Sequence, residues 1–191
     1  LRAALETVAR RHAVLRTRFV EQAGEPAQEE GPAYAVPLDC SDADPDAAMA
    51  AAAAFTATAI PLAGGRMLRA RLWRTGPERH VLAIAVHHIA FDGWSIGVLG
   101  RELAALYPAC LAGAASPLPP LPVQYADFAV WQRSPARLAA QQVRLAERAA
   151  RVAGLPAFKL RGDRVPPAGR PRQGRIQRFA LPHELSVRLL E

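Results

Sequence analysis

His87-His88-Ile89-Ala90-Phe91-Asp92-Gly93-Trp94-Ser95 is the stretch on which the reading of this chain turns. Just before it runs Val81-Leu82-Ala83-Ile84-Ala85-Val86, an unbroken apolar segment of the kind expected in a buried central strand. After it, Ile96, Leu99, Leu103, Leu106 and Tyr107 recur at helical spacing and predict a helix over 94–107. The local order is therefore strand, polar turn, helix. The turn carries a proton acceptor, a carboxylate and backbone N–H groups at a helix start. Such a set suits acyl transfer, in which a nucleophile loses a proton while a carbonyl oxygen gains negative charge.

Residue type alone leaves the histidine pair open to three readings: a catalytic base, a satisfied core histidine, or metal ligands. Adjacent residues on a strand face opposite ways, and no third His or Cys sits at ligand spacing, which counts against a metal. By the same alternation, only one of His87 and His88 faces a given cavity if the strand continues through them. Asp92 lies just before the helix. A carboxylate there accepts backbone N–H bonds or pairs with an arginine, and so holds the loop. Gly93 permits positive φ and close approach of a substrate. Its N–H lies near a helix N-terminus, where negative charge is favoured.

Upstream, Leu1, Leu5, Val8, His12 and Leu15 form one apolar stripe, predicting a helix over 1–16. Residues 17–22 read as extended, 23–26 as a turn and 33–38 as the returning strand. The acidic segment 39–46 offers Ser41, Asp42 or Asp44 as caps for a helix over 45–58. Residues 67–74 alternate as a half-exposed strand. Downstream, 112–122 is a Pro-rich loop, 123–133 and 135–152 read as helical, 154–173 as loop, 175–181 as a strand and 182–191 as a helix. Strands and helices mix without regular alternation, so the class is α/β.

With 191 residues, 51% of them hydrophobic, the chain supports one sizeable core. It starts at Leu1 inside a helical pattern and ends inside another, as expected of an excised piece. No run reaches the roughly 18 apolar residues of a membrane span. Cys40 and Cys110 lack metal or redox spacing and read as free thiols of a reducing compartment, which points to the cytoplasm. The charge of +7 is uneven: residues 1–136 hold 12 basic and 13 acidic side chains, whereas 137–191 hold 12 basic and 4 acidic. A basic tail suits a solvated face, an acidic partner protein or nucleic acid. Only Phe158 and Phe179 are aromatic there, too few for a base-stacking platform. No GxGxxG, Walker, GxSxG or HExxH motif occurs.

At this point the chain resembles a family. His87 to Gly93 matches the HHxxxDG signature of the chloramphenicol acetyltransferase-like superfamily. The continuation Trp94-Ser95, with Gly97-Val98-Leu99 and Arg101-Glu102-Leu103, looks like condensation domains of nonribosomal peptide synthetases. Arg11-His12-Ala13-Val14-Leu15-Arg16-Thr17-Arg18-Phe19 is similar to their RHExLRTRF motif, with Ala13 where Glu is usual. Gly24-Glu25-Pro26-Ala27-Gln28 fits the segment that follows. Pro61-Leu62 through Leu68-Arg69-Ala70-Arg71-Leu72 resembles the strand before the histidines, with Pro61 where Asp is frequent. Leu121-Pro122-Val123-Gln124-Tyr125-Ala126-Asp127-Phe128-Ala129-Val130-Trp131-Gln132 looks like the next motif. The likeness is strong over 1–133 and loose over 134–191, where Leu145-Ala146-Glu147-Arg148-Ala149-Ala150 stands in place of a usual Tyr-Trp.

The resemblance implies a single chloramphenicol acetyltransferase-like lobe, a two-layer sandwich with a mixed sheet covered by helices. On that likeness 1–191 is the N-terminal lobe, without the family's first motif or its C-terminal lobe. The family's tunnel runs between two lobes, so a lone lobe is expected to associate through its open apolar face and to be inactive. The implied reaction is amide formation between two thioesters on phosphopantetheine arms of carrier domains. His88 would meet the acceptor amine, as base or by aiming its lone pair. An α-amine has a pKa of about 8 and a histidine about 6.5, so neutral imidazole is at hand near neutrality. Gly93 N–H would face the oxyanion. Asp92 and His87 would be structural neighbours, with Arg16 and Arg18 as electrostatic supports. No cofactor or metal of its own is implied. The partners implied are carrier and adenylation domains and the second lobe, with neither nucleic acid nor membrane. Three alternatives remain at this stage. One is another acyltransferase of the superfamily acting on a small alcohol or amine. Another is a non-catalytic module that docks carriers. The third, an epimerisation domain, usually differs after the Asp.

Overall fold

The computed structural model describes residues 1–156 and 178–190. Its residues group into two compact units, Leu1–Ala146 and Glu147–Glu191. The first unit has the expected mixed character. A two-stranded ribbon pairs β1 (Thr17–Gln22) with β2 (Glu25–Glu30). A three-stranded sheet follows the order β3 (Leu38–Asp42), β4 (Leu68–Gly76), β5 (Arg79–Val86), with β3 parallel and β5 antiparallel to β4.

Helix α1 (Arg2–Arg11) buries Ala4, Leu5, Val8 and Ala9, as its stripe requires. It stops at Arg11, and residues Ala13–Arg16 form a 3-10 turn where the pattern predicted continued α-helix. The reason is a side chain. Gln124 accepts from Ala13 N–H at 3.0 Å and donates to the Arg11 carbonyl at 3.0 Å, taking over groups a longer helix would have paired.

The hairpin corrects the expected returning strand at 33–38. Ala23 and Gly24 both take positive φ, 52° and 82°, so a two-residue turn closes the ribbon and β2 starts at Glu25. Pro26 sits inside β2, tolerated because the ribbon leaves that strand an open edge. Gly31 then passes Arg16 so closely that a Cβ would lie 2.8 Å from its carbonyl oxygen. The acidic segment also differs: Leu38–Asp42 is strand, and the cap falls on Asp44, which accepts from Ala47 N–H at 2.9 Å and starts α2 (Pro45–Ala57).

The main core gathers Leu5, Val8, Leu15, Val36, Met67, Leu68 and Leu106 between α1, β4 and α3 (Gly93–Leu111). Helix α3 runs through Pro108, beyond the end predicted at Tyr107. A smaller cluster packs Ala48 of α2 on Trp73 and Ala83. β5, expected to be central, is at the edge of the described sheet, with Leu82 39% exposed. Two more helices follow, α4 (Tyr125–Gln132) and α5 (Pro135–Val152). In the second unit α6 (His183–Leu190) buries none of its residues. Of the strand predicted over 175–181, residues 175–177 lie outside the described residues, and 178–181 are not strand. Most of the loop predicted over 154–173 also lies outside them.

Candidate active site

β5 ends at Val86, so the histidine pair sits beyond the strand, in the turn. Strand alternation therefore does not separate the two rings. His87 and His88 both border one open cavity of about 410 Å³. His87 is half-buried and its backbone is anchored: its N–H donates to the Met67 carbonyl at 3.0 Å, and its carbonyl accepts from Ala90 at 3.0 Å. Its Nδ1 accepts from Ile89 N–H at 3.1 Å, which leaves the proton of the neutral ring on Nε2. His88 is exposed, and among the described residues its ring has no hydrogen-bond partner.

Asp92 caps α3. Its Oδ1 accepts from Ser95 N–H at 2.9 Å and from the Ser95 hydroxyl at 2.6 Å, and Ser95 Oγ accepts from Asp92 N–H at 3.3 Å. The Ser95 hydroxyl first, and its N–H second, hold the Asp92 carboxyl below the usual carboxylate range. Gly93 is the first residue of α3. It does not use positive φ, and a Cβ there would meet nothing within 4 Å. Neither backbone strain nor packing calls for glycine there, and Gly93 is not among the residues that line the histidine cavity.

Arg16 and Arg18 do not brace the turn by pairing with Asp92. Arg16 pairs with Glu30 at 2.6 Å and with the Gly31 carbonyl at 2.8 Å, and Arg18 pairs with Glu29 at 2.6 Å. The hairpin supplies acids closer to both. The link from this motif to the histidines is backbone instead: Met67 N–H donates to the Leu15 carbonyl, and the Met67 carbonyl receives His87 N–H, each at 3.0 Å.

A second polar cluster escaped the sequence reading as a site. Glu102 is buried in α3 and accepts from Arg11 Nε at 2.9 Å and His12 Nε2 at 2.8 Å. Arg11 also donates to the Pro119 carbonyl. A buried charge must be paired, and here two partners do so. The signal was available: Glu102 interrupts the apolar row of Leu99 and Leu106. His12 also borders an apolar cavity of about 200 Å³ that Ala90 and Phe91 line from the turn. Among the described residues no cluster of His, Cys, Asp and Glu could hold a metal ion, and no helix is long and apolar enough to cross a membrane.

Fold and site together define an α/β lobe that presents a strand-end histidine pair to an open cavity. The chain belongs to the condensation-domain family, whose model matches residues 1–189. It is 41% identical over 201 residues to phosphinothricin tripeptide synthetase PhsC of Streptomyces viridochromogenes, covering 99% of this chain and 18% of that one. It is also 41% identical over 147 residues to cyclosporin synthetase simA of Tolypocladium inflatum, covering 76% of this chain and 1% of that one. Among solved structures it is similar to the X-domain in a complex of the X-domain and OxyB from teicoplanin biosynthesis. There the TM-score is 0.78 at 31% identity, with 87% of this chain and 38% of that one covered. The chain thus spans less than a fifth of either synthetase relative.

Proposed function

We propose that this chain supplies the histidine-bearing wall of a site that forms an amide bond between two carrier-bound thioesters in nonribosomal peptide synthesis. The observation that carries the reading is the exposed His88, its ring without a partner among the described residues, at the rim of an open cavity and in a turn fixed from both sides. The acceptor's α-amine attacks the donor thioester carbonyl. The N–C bond forms, the carbonyl oxygen becomes an oxyanion, and the C–S bond then breaks. His88 receives the amine proton, and the departing pantetheine sulfur takes a proton as the oxyanion collapses. Gly93 N–H, at the first position of α3, serves the oxyanion. Asp92 acts through its cap on α3 and His87 through its backbone anchors. Alignment of two tethered substrates contributes much of the rate. The phosphopantetheine arms arrive on carrier domains, with an adenylation domain loading them. The setting is the cytoplasm, where Cys40 and Cys110 stay free thiols.

The test is amide formation from two loaded carriers by this chain joined to a second lobe, because a lone lobe is expected to be inactive. His88→Ala should lower the rate by at least about a hundredfold, the usual scale for a lost general base. Equal turnover by both proteins would overturn the assignment. A second reading, a protein-docking module without chemistry, is favoured by the likeness to the X-domain in its complex with OxyB. It predicts tight binding of a partner that His88→Ala leaves intact, and no amide product at any carrier concentration.

A further inference from the structure

The cavity beside the histidines has a second wall. Residues 84–88 form one side, and residues 56–60, where α2 ends, form the other. That second side is lined by Thr56, Ala57, Thr58, Ala59 and Ile60, of which all but Ile60 are exposed. The segment leaves α2 in extended conformation, with Thr58 at φ −72° and ψ 132°. An extended segment past a helix end has no ladder of its own to fix it. Here Arg69 of β4 does so. Its guanidinium donates to the Phe55 carbonyl at 2.8 Å and to the Thr58 carbonyl, and it lies over the Phe55 ring at 4.7 Å from the centroid. Phe55 in turn packs edge-on against Trp73, with centroids 6.3 Å apart. The wall is thus tied to the sheet by one planar cation and one aromatic pair. A guanidinium gives two directed donors and a stacking face at once, which an ammonium does not.

We propose that the wall formed by residues 58–60, held by Arg69, sets which acceptor side chain can lie beside His88. This rests on the reading that His88 meets the acceptor amine. Thr58, Ala59 and Ile60 line the cavity opposite Ile84 and Val86, so an aliphatic aminoacyl side chain would meet apolar atoms on both walls. Arg69 is a positioning residue: it acts through the wall and touches no reacting atom. Nothing in the Ala-rich sequence of α2 marked this segment.

The experiment measures affinities of glycyl- and leucyl-pantetheine thioesters for the chain by ligand-observed NMR, in wild type, Ala59→Trp, Ala59→Leu, Arg69→Gln and Arg69→Lys. Wild type should bind both, the leucyl probe more tightly. Filling the cavity with Ala59→Trp should weaken the leucyl probe by about tenfold or more, the scale of a few misplaced methylenes, and the glycyl probe by less than about threefold. Ala59→Leu should do the same to a smaller degree. Arg69→Gln should erase the preference between the probes, and Arg69→Lys should restore part of it. A purely structural arginine would change melting temperature without changing that ratio. Failure of wild type to bind either thioester, or equal weakening of both probes by Ala59→Trp, would overturn the proposal. An unmoved ratio, with amide formation still lost on His88→Ala, would sink the wall and leave the reaction standing.

Discussion

His12 and His88 occupy comparable places: each follows a regular element, each lies in a motif, and each borders a cavity. Their surroundings are opposite. His12 is held by Glu102 at 2.8 Å, beside an arginine that shares the same carboxylate. His88 is exposed, and its turn is fixed through neighbours rather than through its ring. The difference separates two uses of one side chain. A histidine whose ring is spent on a buried carboxylate stabilises the fold. A histidine on a rigid loop with a free ring is available to a substrate.

Four substitutions put that contrast at risk. The largest stability effect should come from Glu102→Ala, which strands Arg11 and His12 partly out of water. A loss of about 2–4 kcal/mol in urea unfolding is expected, because breaking a shielded pair leaves the partners uncompensated. Asp92→Ala comes next, through the lost cap on α3. The sign with pH is fixed: the folded carboxyl titrates below its ordinary range, so its contribution is full above that range. It fades as the pH falls through the range and below. The melting temperature of Asp92→Ala should therefore trail wild type at neutral pH, and the gap should close in acid. Arg18→Ala should cost no more than about 1 kcal/mol, since its pair with Glu29 is largely exposed. It should also leave any reaction at the turn unchanged, because Arg18 does not reach Asp92. The smallest stability effect, within about 0.5 kcal/mol, belongs to His88→Ala. A large destabilisation there would erase the distinction from His12.

The fold was legible where pattern and packing agree. The α1 stripe, the apolar run of β5 and the Asp92 start of α3 were all read correctly as elements because each has a strong local signal. The hairpin was misplaced because Ala23-Gly24-Glu25-Pro26 looks like turn chemistry throughout, yet positive φ at Ala23 and Gly24 closes the turn within those two residues, and Glu25 and Pro26 already pair in β2. β3 was hidden by its own composition: Asp39, Ser41 and Asp42 read as loop, and only pairing with β4 makes them a strand. The end of α1 depended on the Gln124 amide, far away in sequence, and no local pattern could report it. The same holds for the site. The histidine turn announced itself, whereas the Arg11–Glu102–His12 cluster and the wall at residues 56–60 exist only once distant elements meet. The amphipathic α5 makes the converse point. Its apolar positions were plain, yet Leu138, Val143 and Leu145 are all exposed, because periodicity foretells a helix and not what covers it.

The most direct measurement is the rate of amide formation from two loaded carrier domains by this chain joined to a second lobe, taken side by side for wild type, His88→Ala and His12→Gln. The account predicts a loss of at least about a hundredfold for His88→Ala with its melting temperature unchanged. It predicts for His12→Gln a lowered melting temperature and, at a temperature where the variant stays folded, a rate within a few-fold of wild type. A near-normal rate for His88→Ala, or a comparable loss at His12 in a fully folded variant, would contradict it.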